Sequence, residues 1–173
     1  AIQWLKEYIR AFDSDRNRLA SAYSQLATFS IRELSHTPAT PSTQPPLHTG
    51  PVAIATALLD LPESFAFNLV EGSSKLHFDL VVTFDVVVYG NRSEPTPLVM
   101  LVCYAEPAHS PDASAAGAWR WVCDMRFVLR SKGWDERDRF AEGLCGLVAL
   151  SHQMTLRKIP SDMSWRWSSV TLG

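Results

Sequence analysis

The chain opens with apolar residues at steps of three and four: Ile2, Leu5, Ile9 and Phe12. That spacing lays one apolar stripe along a helix. Asp13, Ser14 and Asp15 come next. Their side-chain oxygens suit the free amide hydrogens at a helix start, which predicts a second short helix with Leu19, Ala22 and Tyr23 on its apolar face. Phe29 and Ile31 begin an alternating run, the mark of a strand. Val52 to Leu61 is apolar enough for a buried helix, and Pro51 fits its first turn. Phe65 to Val70 reads as a short strand. Leu76 to Tyr89 reads as a long strand with two faces: Leu76, Phe78, Leu80, Val82, Phe84, Val86 and Val88 toward a core, and His77, Asp79, Val81, Thr83, Asp85, Val87 and Tyr89 away from it. Leu98 to Tyr104 is continuously apolar and predicts a strand covered on both sides. Trp119 to Arg130 repeats the two-faced pattern, with Trp121, Cys123, Met125, Phe127 and Leu129 on one side and Arg120, Val122, Asp124, Arg126 and Val128 on the other.

Three polar stretches punctuate these elements. Ser35 to Gly50, with Pro38, Pro41, Pro45 and Pro46, predicts a flexible extended insert. Asn91 to Pro97 predicts a short turn, and Glu106 to Ala118 a long connection. After Arg130 the pattern changes. Phe140, Leu144, Leu147 and Val148 fall at helical spacing across Trp134 to Leu150, despite Gly143 and Gly146. The expectation is therefore a domain over residues 1–130 and a C-terminal helix and tail over 131–173, packed on the domain or on a partner, with Trp165 and Trp167 as its anchors.

Composition narrows the functional classes. The 173 residues suit one hydrophobic core, and 46% apolar content is enough to build it. A formal charge of -2 makes no electrostatic case for wrapping nucleic acid. No apolar run is long enough to span a membrane as a helix. No leader peptide is visible, and with Ala1 first the chain reads as a fragment. Cys103, Cys123 and Cys145 are odd in number and lack metal spacing, which points to a reducing compartment and to buried thiols in the strands.

Candidate chemistry is sparse. There is no phosphate-binding glycine loop, nucleophile elbow or zinc pattern. Of His36, His48, His77, His109 and His152, only His77 falls on an expected strand, and its neighbour Asp79 shares the outward face. Tyr8 and Tyr23 either face an internal cavity or are core tyrosines with bonded hydroxyls. The outward strand positions form a mixed surface of valines and charges. It is either a solvated sheet face or a partner surface, in which Asp79 and Asp85 complement Arg120 and Arg126 around Val81, Val122 and Asp124.

The opening Tyr8-Ile9-Arg10-Ala11-Phe12-Asp13-Ser14-Asp15-Arg16, with Leu19 and Ala22-Tyr23, resembles the nuclear transport factor two-like domain of the large subunit of mRNA export receptors, the human TAP and fungal Mex class. Leu59-Asp60-Leu61-Pro62, Leu80 to Phe84, and Val122-Cys123-Asp124-Met125-Arg126-Phe127-Val128-Leu129 extend the resemblance over residues 2–130. It implies an α+β cone: a curved antiparallel sheet with helices on its concave face. It also implies a non-enzymatic transport module of the nucleus and nuclear pore that shuttles to the cytoplasm. Such domains use no cofactor or metal, pair sheet to sheet with a small subunit of the same fold, and bind phenylalanine-glycine repeats of nuclear pore proteins in an apolar pocket. Ile2 and Leu5 match its helical positions, and Asp79, Val81, Asp85, Arg120, Val122, Asp124 and Arg126 are the expected subunit interface. The rival class is a cone-fold isomerase or dehydratase, which requires an enclosed cavity holding at least two polar side chains.

Overall fold

The computed structural model describes residues 1–34, 45–62, 65–67, 75–89, 92–106, 119–132 and 144–160. Helix α1 (Ile2–Ser14) leads through a 3-10 helix (Arg16–Ala22) into strand β1 (Tyr23–Leu34). The short β2 (Leu47–Thr49) runs into α2 (Pro51–Leu59), and β3 (Lys75–Tyr89), β4 (Arg92–Glu106), β5 (Trp119–Ser131) and β6 (Leu147–Pro160) follow. The strands form one six-stranded sheet in the order β2-β1-β6-β5-β4-β3. Neighbours pair antiparallel except β1 and β6, which are parallel. The expected antiparallel sheet is therefore mixed.

α1 covers one face of the sheet. Its buried residues are Trp4, Leu5, Tyr8, Ile9, Ala11 and Phe12, a stripe broader than the spacing of aliphatics alone indicated. Trp4 and Tyr8 both meet the Phe127 ring edge-on at 5.1 Å between centroids, a favoured arrangement for aromatic quadrupoles. Ile2 lies at the margin of the stripe, 43% exposed. From the strands the core takes Leu101, Cys103 and Ala105 of β4, Cys123, Met125, Phe127 and Leu129 of β5, and Met154 and Leu156 of β6. α2 adds Ile54 and Leu58. Pro51 occupies its first turn, where a missing amide hydrogen costs nothing. Gly50 turns the chain from β2 into this helix at φ +84, a left-handed conformation that side chains resist.

The acidic corner ties these pieces together. Asp15 accepts the Asn17 amide at 3.1 Å and caps the 3-10 helix. Asp13 accepts the Phe67 amide at 2.7 Å. Arg16 reaches five carbonyls: its Nε donates to Phe12, and its two terminal nitrogens donate to Leu58, Leu61, Pro62 and Phe65 at 2.6–3.3 Å. Phe12 and Leu58 end the two α-helices, where the last carbonyls have no partner within the helix. One guanidinium thus serves both helix ends and fixes the segment that sends Phe65 and Phe67 into the core against Phe12.

Several expectations change. β4 begins at Arg92, so the predicted turn over Asn91–Pro97 is mostly strand, with Pro95 opposite Val86 and Pro97 opposite Phe84. Proline is tolerated because β5 pairs with β4 only from Leu98 onward. The two prolines share one parity, so both missing donors fall on the same side of β4. The Leu98–Tyr104 stretch is buried on one face only: Leu101 and Cys103 are inside, while Met100 and Val102 are 45% and 42% exposed. Leu47–Thr49, read as part of a flexible insert, pairs with β1. Phe65–Phe67, the described part of the expected Phe65–Val70 strand, is not strand.

The largest correction is β6. A helix over Trp134–Leu150 and a domain end at residue 130 were expected, yet Leu147–Pro160 is a central strand flanked by β1 and β5. A turn at Leu144–Leu147 with positive φ at Cys145 (51) and Gly146 (73) stops any helix and feeds the strand. His152, Met154 and Leu156 then alternate inward. The boundary at 130 would cut the sheet through its middle. Residues 133–143 and the tail 161–173, including Trp165 and Trp167, lie outside the described residues, as do 35–44, 68–74 and 107–118.

Replacing Arg16 by Lys should cost about 3 kcal/mol or more in urea unfolding, because an ammonium cannot span five carbonyls and leaves several unsatisfied. A loss under about 0.5 kcal/mol, typical of surface changes, would show that the guanidinium is dispensable.

Candidate functional site

Three places deserve chemical scrutiny: the interior of the cone, the outer face of the sheet, and a groove beside α1.

The interior holds a polar chain that the sequence reading half anticipated. The Tyr8 and Tyr23 hydroxyls are 3.0 Å apart, and the Tyr23 hydroxyl lies 2.8 Å from His152 Nδ1. A bulge precedes His152: β6 carries one extra residue, Leu150, between the pairs Val128–Ser151 and Leu129–Ala149. The sequence pattern places His152 in a loop or near the tail, just past the helix expected over Trp134–Leu150. Its ring stacks on Phe127 at 4.1 Å, and Phe29 and Tyr8 pack around it. Burial pushes the imidazole pKa down to about 3 and raises both tyrosines well above their ordinary range. All three groups are therefore neutral in ordinary buffers.

Polar groups do converge inside the cone, as an enzyme of this shape requires. What is missing around them is space. Tyr8, Tyr23 and His152 are each 0% exposed and sealed from bulk solvent. Trp4, Phe12, Phe29 and Phe127 occupy the volume a substrate would need. Cys103 and Cys123 are buried thiols, as expected. Burial raises the pKa of Cys103 to about 12 and pushes Cys123 up as well, which leaves little thiolate for chemistry. Among the described residues no three His, Cys, Asp or Glu side chains group as a metal site would require.

The outer face has a different character. The registers align Asp79, Val102, Arg126, Gln153, Ser30 and Leu47 in one row across all six strands. Beside it runs His77, Tyr104, Asp124, Thr155 and Arg32, with Asp124 paired to Arg157. On the other side runs Val81, Met100, Val128, Ser151 and Thr28. Val81, Met100, Val102 and Leu47 are 52%, 45%, 42% and 68% exposed. A cleft of about 850 Å³ is lined here by Arg32, Leu47, Val102, Arg126, Gln153 and Arg157 among others. The structure thus brings Asp79, Val81, Asp124 and Arg126 onto one surface. Asp79 and Arg126 are separated by Val102, about 10 Å apart at ordinary strand spacing, so they do not pair directly. Asp85 sits opposite Thr96, beyond the reach of β5, and Arg120 opposite Ile159 at the other end of the sheet, so those two are not neighbours. Val122 is only 2% exposed and is closed to a partner.

The groove beside α1 measures about 490 Å³ and is mostly apolar. Ile2, Leu5 and Ile9 form its helical wall, Leu76 and Phe78 of β3 the other, with Lys6, Arg10 and Asp13 at the rim. Ile2 and Leu5, paired by the sequence reading, do share this groove, but Leu5 is 1% exposed and belongs equally to the core. Leu76 and Phe78 were missed as lining residues. Their inward parity predicted core, and nothing in the sequence showed that β3 would be the last strand, with Phe78 left 44% exposed.

No protein-family profile matches the chain, and no curated protein matches it by sequence. Solved structures do match by shape. A chain of the Chaetomium thermophilum Mex67 NTF2-like domain complexed with Mtr2 aligns at a TM-score of 0.62 and 17% identity, over 94% of this chain and 87% of that one. A chain of the C. albicans Mtr2–Mex67 M domain complex aligns at 0.52 and 13%, over 95% and 97%. A chain of Mex67:Mtr2 with a bound Sac3N peptide aligns at 0.54 and 17%, over 88% and 86%. The fold is thus the nuclear transport factor two-like cone, with α1 and α2 against a curved mixed sheet.

The buried imidazole gives the fold a defined acid sensitivity. Its folded-state pKa of about 3 lies below the unfolded value near 6.5. The stability it contributes is complete above pH 6.5 and is lost as pH falls toward 3. Between pH 7 and pH 5 the chain should lose about 2 kcal/mol that a His152→Gln variant does not lose. Parallel pH profiles in urea unfolding would show that His152 ionises freely in the fold.

Proposed function

We propose that this chain is a non-enzymatic, protein-binding transport module. Its outer sheet face receives a small subunit of the same fold, and the groove beside α1 takes phenylalanine-glycine repeats of nuclear pore proteins. In this reading the heterodimer carries messenger ribonucleoprotein through the nuclear pore and shuttles between nucleus and cytoplasm.

The observation that carries the proposal is the composition of the outer face. Exposed Val81, Met100, Val102 and Leu47 lie among Asp79, Asp124, Arg126, Arg32 and Arg157 on a surface that spans the whole sheet. Val81, Met100 and Val102 adjoin on β3 and β4, with Leu47 apart on β2, and apolar exposure flanked by charge is costly in water and suits a protein interface. The shape relatives above, solved as assemblies of Mex67 with Mtr2, agree with such a use. The groove fits weak, fast contacts: burying one phenylalanine ring is worth roughly 2 kcal/mol, enough for capture and little enough for rapid release. The isomerase or dehydratase reading has one observation in its favour, the Tyr8–Tyr23–His152 chain. That chain satisfies buried hydroxyls and has no surface for a substrate.

Arg126→Glu should weaken co-purification with an Mtr2-type small subunit at least about tenfold while changing stability by under about 0.5 kcal/mol. Undiminished co-purification would remove the outer face from the interface. For the groove, the informative substitution is Ile2→Glu, since charging buried Leu5 would damage the core. Ile2→Glu should abolish capture on phenylalanine-glycine peptide beads and leave the heterodimer intact. Retained capture by a folded variant would place the repeat pocket elsewhere.

A further inference from the structure

β3 is the last strand of the sheet among the described residues, and the apolar groove opens along it. A terminal strand carries a row of backbone donors and acceptors with no ladder partner. The direction of that row is marked by Leu80, whose amide donates at 2.8 Å to the carboxylate of the adjacent Asp79. A side-chain acceptor held on a strand amide occupies the position a seventh strand would use. By the alternation of strand amides, Leu76 and Phe78 present theirs to the same open side. The Asp79 carboxylate therefore occupies the edge at Leu80, and the amides of Leu76 and Phe78 lie on the same side of the strand. Leu76 and Phe78 are the wall of the groove, facing Ile2, Leu5 and Ile9 of α1.

Two features thus coincide: an unpaired backbone edge and an apolar slot beside it. A helix or a compact domain would use the slot and leave the edge unsatisfied. An extended chain uses both, since its backbone completes the ladder while every second side chain points to the core side of the sheet. We infer that the open edge of β3 takes an extended peptide as an added strand, with an inward-pointing phenylalanine of that peptide seated between Ile2 of α1 and Phe78 of β3. The inference rests on the reading of the groove as a phenylalanine-glycine site and specifies its binding mode. The short stretch through Leu76 and Phe78 keeps the added ladder to a few hydrogen bonds, in keeping with rapid exchange.

The test uses the full chain and three fluorescein-labelled octapeptides of the sequence Ser-Gly-Phe-Gly-Ser-Gly-Phe-Gly, read by fluorescence anisotropy. One peptide is unmodified; the other two carry N-methyl groups on alternate amides, one on each parity. Strand addition needs the amides of one parity only. The two methylated peptides should therefore differ in affinity at least about tenfold, since blocking a donor removes its bond and leaves a β3 carbonyl unpaired. Ile2→Glu should abolish binding of the better one. If the unmodified peptide binds and the two methylated forms bind alike, the groove reading survives and strand addition is overturned. If the unmodified peptide does not bind, both fall. If light scattering shows that the chain alone is a dimer whose dissociation is required for peptide binding, the edge belongs to a second copy and the inference is overturned.

Discussion

Arg16 is the constraint on which the rest of the molecule depends. Its guanidinium has five N–H donors, and five carbonyls receive them. They come from the ends of both α-helices and from the segment that delivers Phe65 and Phe67 to the core. The same group lies 4.4 Å over the Phe12 ring. With the helices held at that corner, α1 must lie along the sheet, which puts Trp4 and Tyr8 onto Phe127 and leaves Ile2 at the rim. The groove beside β3 is a consequence of that placement. The motif that carries the resemblance to transport-factor domains, Phe12 to Arg16, thus turns out to be architectural. Asp15 and Arg16 specify how the helices meet, while Asp13 holds the Phe67 amide and also stands at the rim of the groove.

This explains why the fold was more legible in the sequence than the site. α1, α2 and the strands β3 and β5 each obey one period over many residues, and each stands near its expected position. The acidic corner was read correctly as a cap at Asp15. β6 was not read because its first residues, Leu147 and Val148, continue a helical spacing from Phe140 and Leu144, and a local pattern cannot weigh that against pairing with distant β1 and β5. The left-handed turn at Cys145 and Gly146 was the available signal, since two glycines in four residues weaken a helix. Missing β6 hid His152, the group on which the tyrosine chain ends.

Surface residues were legible by face and not by neighbour. Alternation placed Asp79, Val81, Asp124 and Arg126 on the outer side, as found. It could not give strand order or register, so Asp85 and Arg120 were grouped with them although they sit at opposite ends of the sheet. Exposure on β3 was misjudged for the same reason. Phe78, Val82 and Phe84 have inward parity but are 44%, 63% and 67% exposed, because the final strand extends beyond the helices that cover its neighbours.

The cone of this chain is filled by aromatic rings, and its polar interior groups are sealed and neutral. Among the described residues, the proposed function rests on the mixed outer face and the edge beside α1. The most direct measurement of this division is the solution mass of the chain co-expressed with an Mtr2-type subunit, by light scattering. The account predicts a single species with the mass of one 19.3 kDa chain plus one small subunit. A chain that stays a well-behaved 19.3 kDa monomer in the presence of that subunit would contradict it.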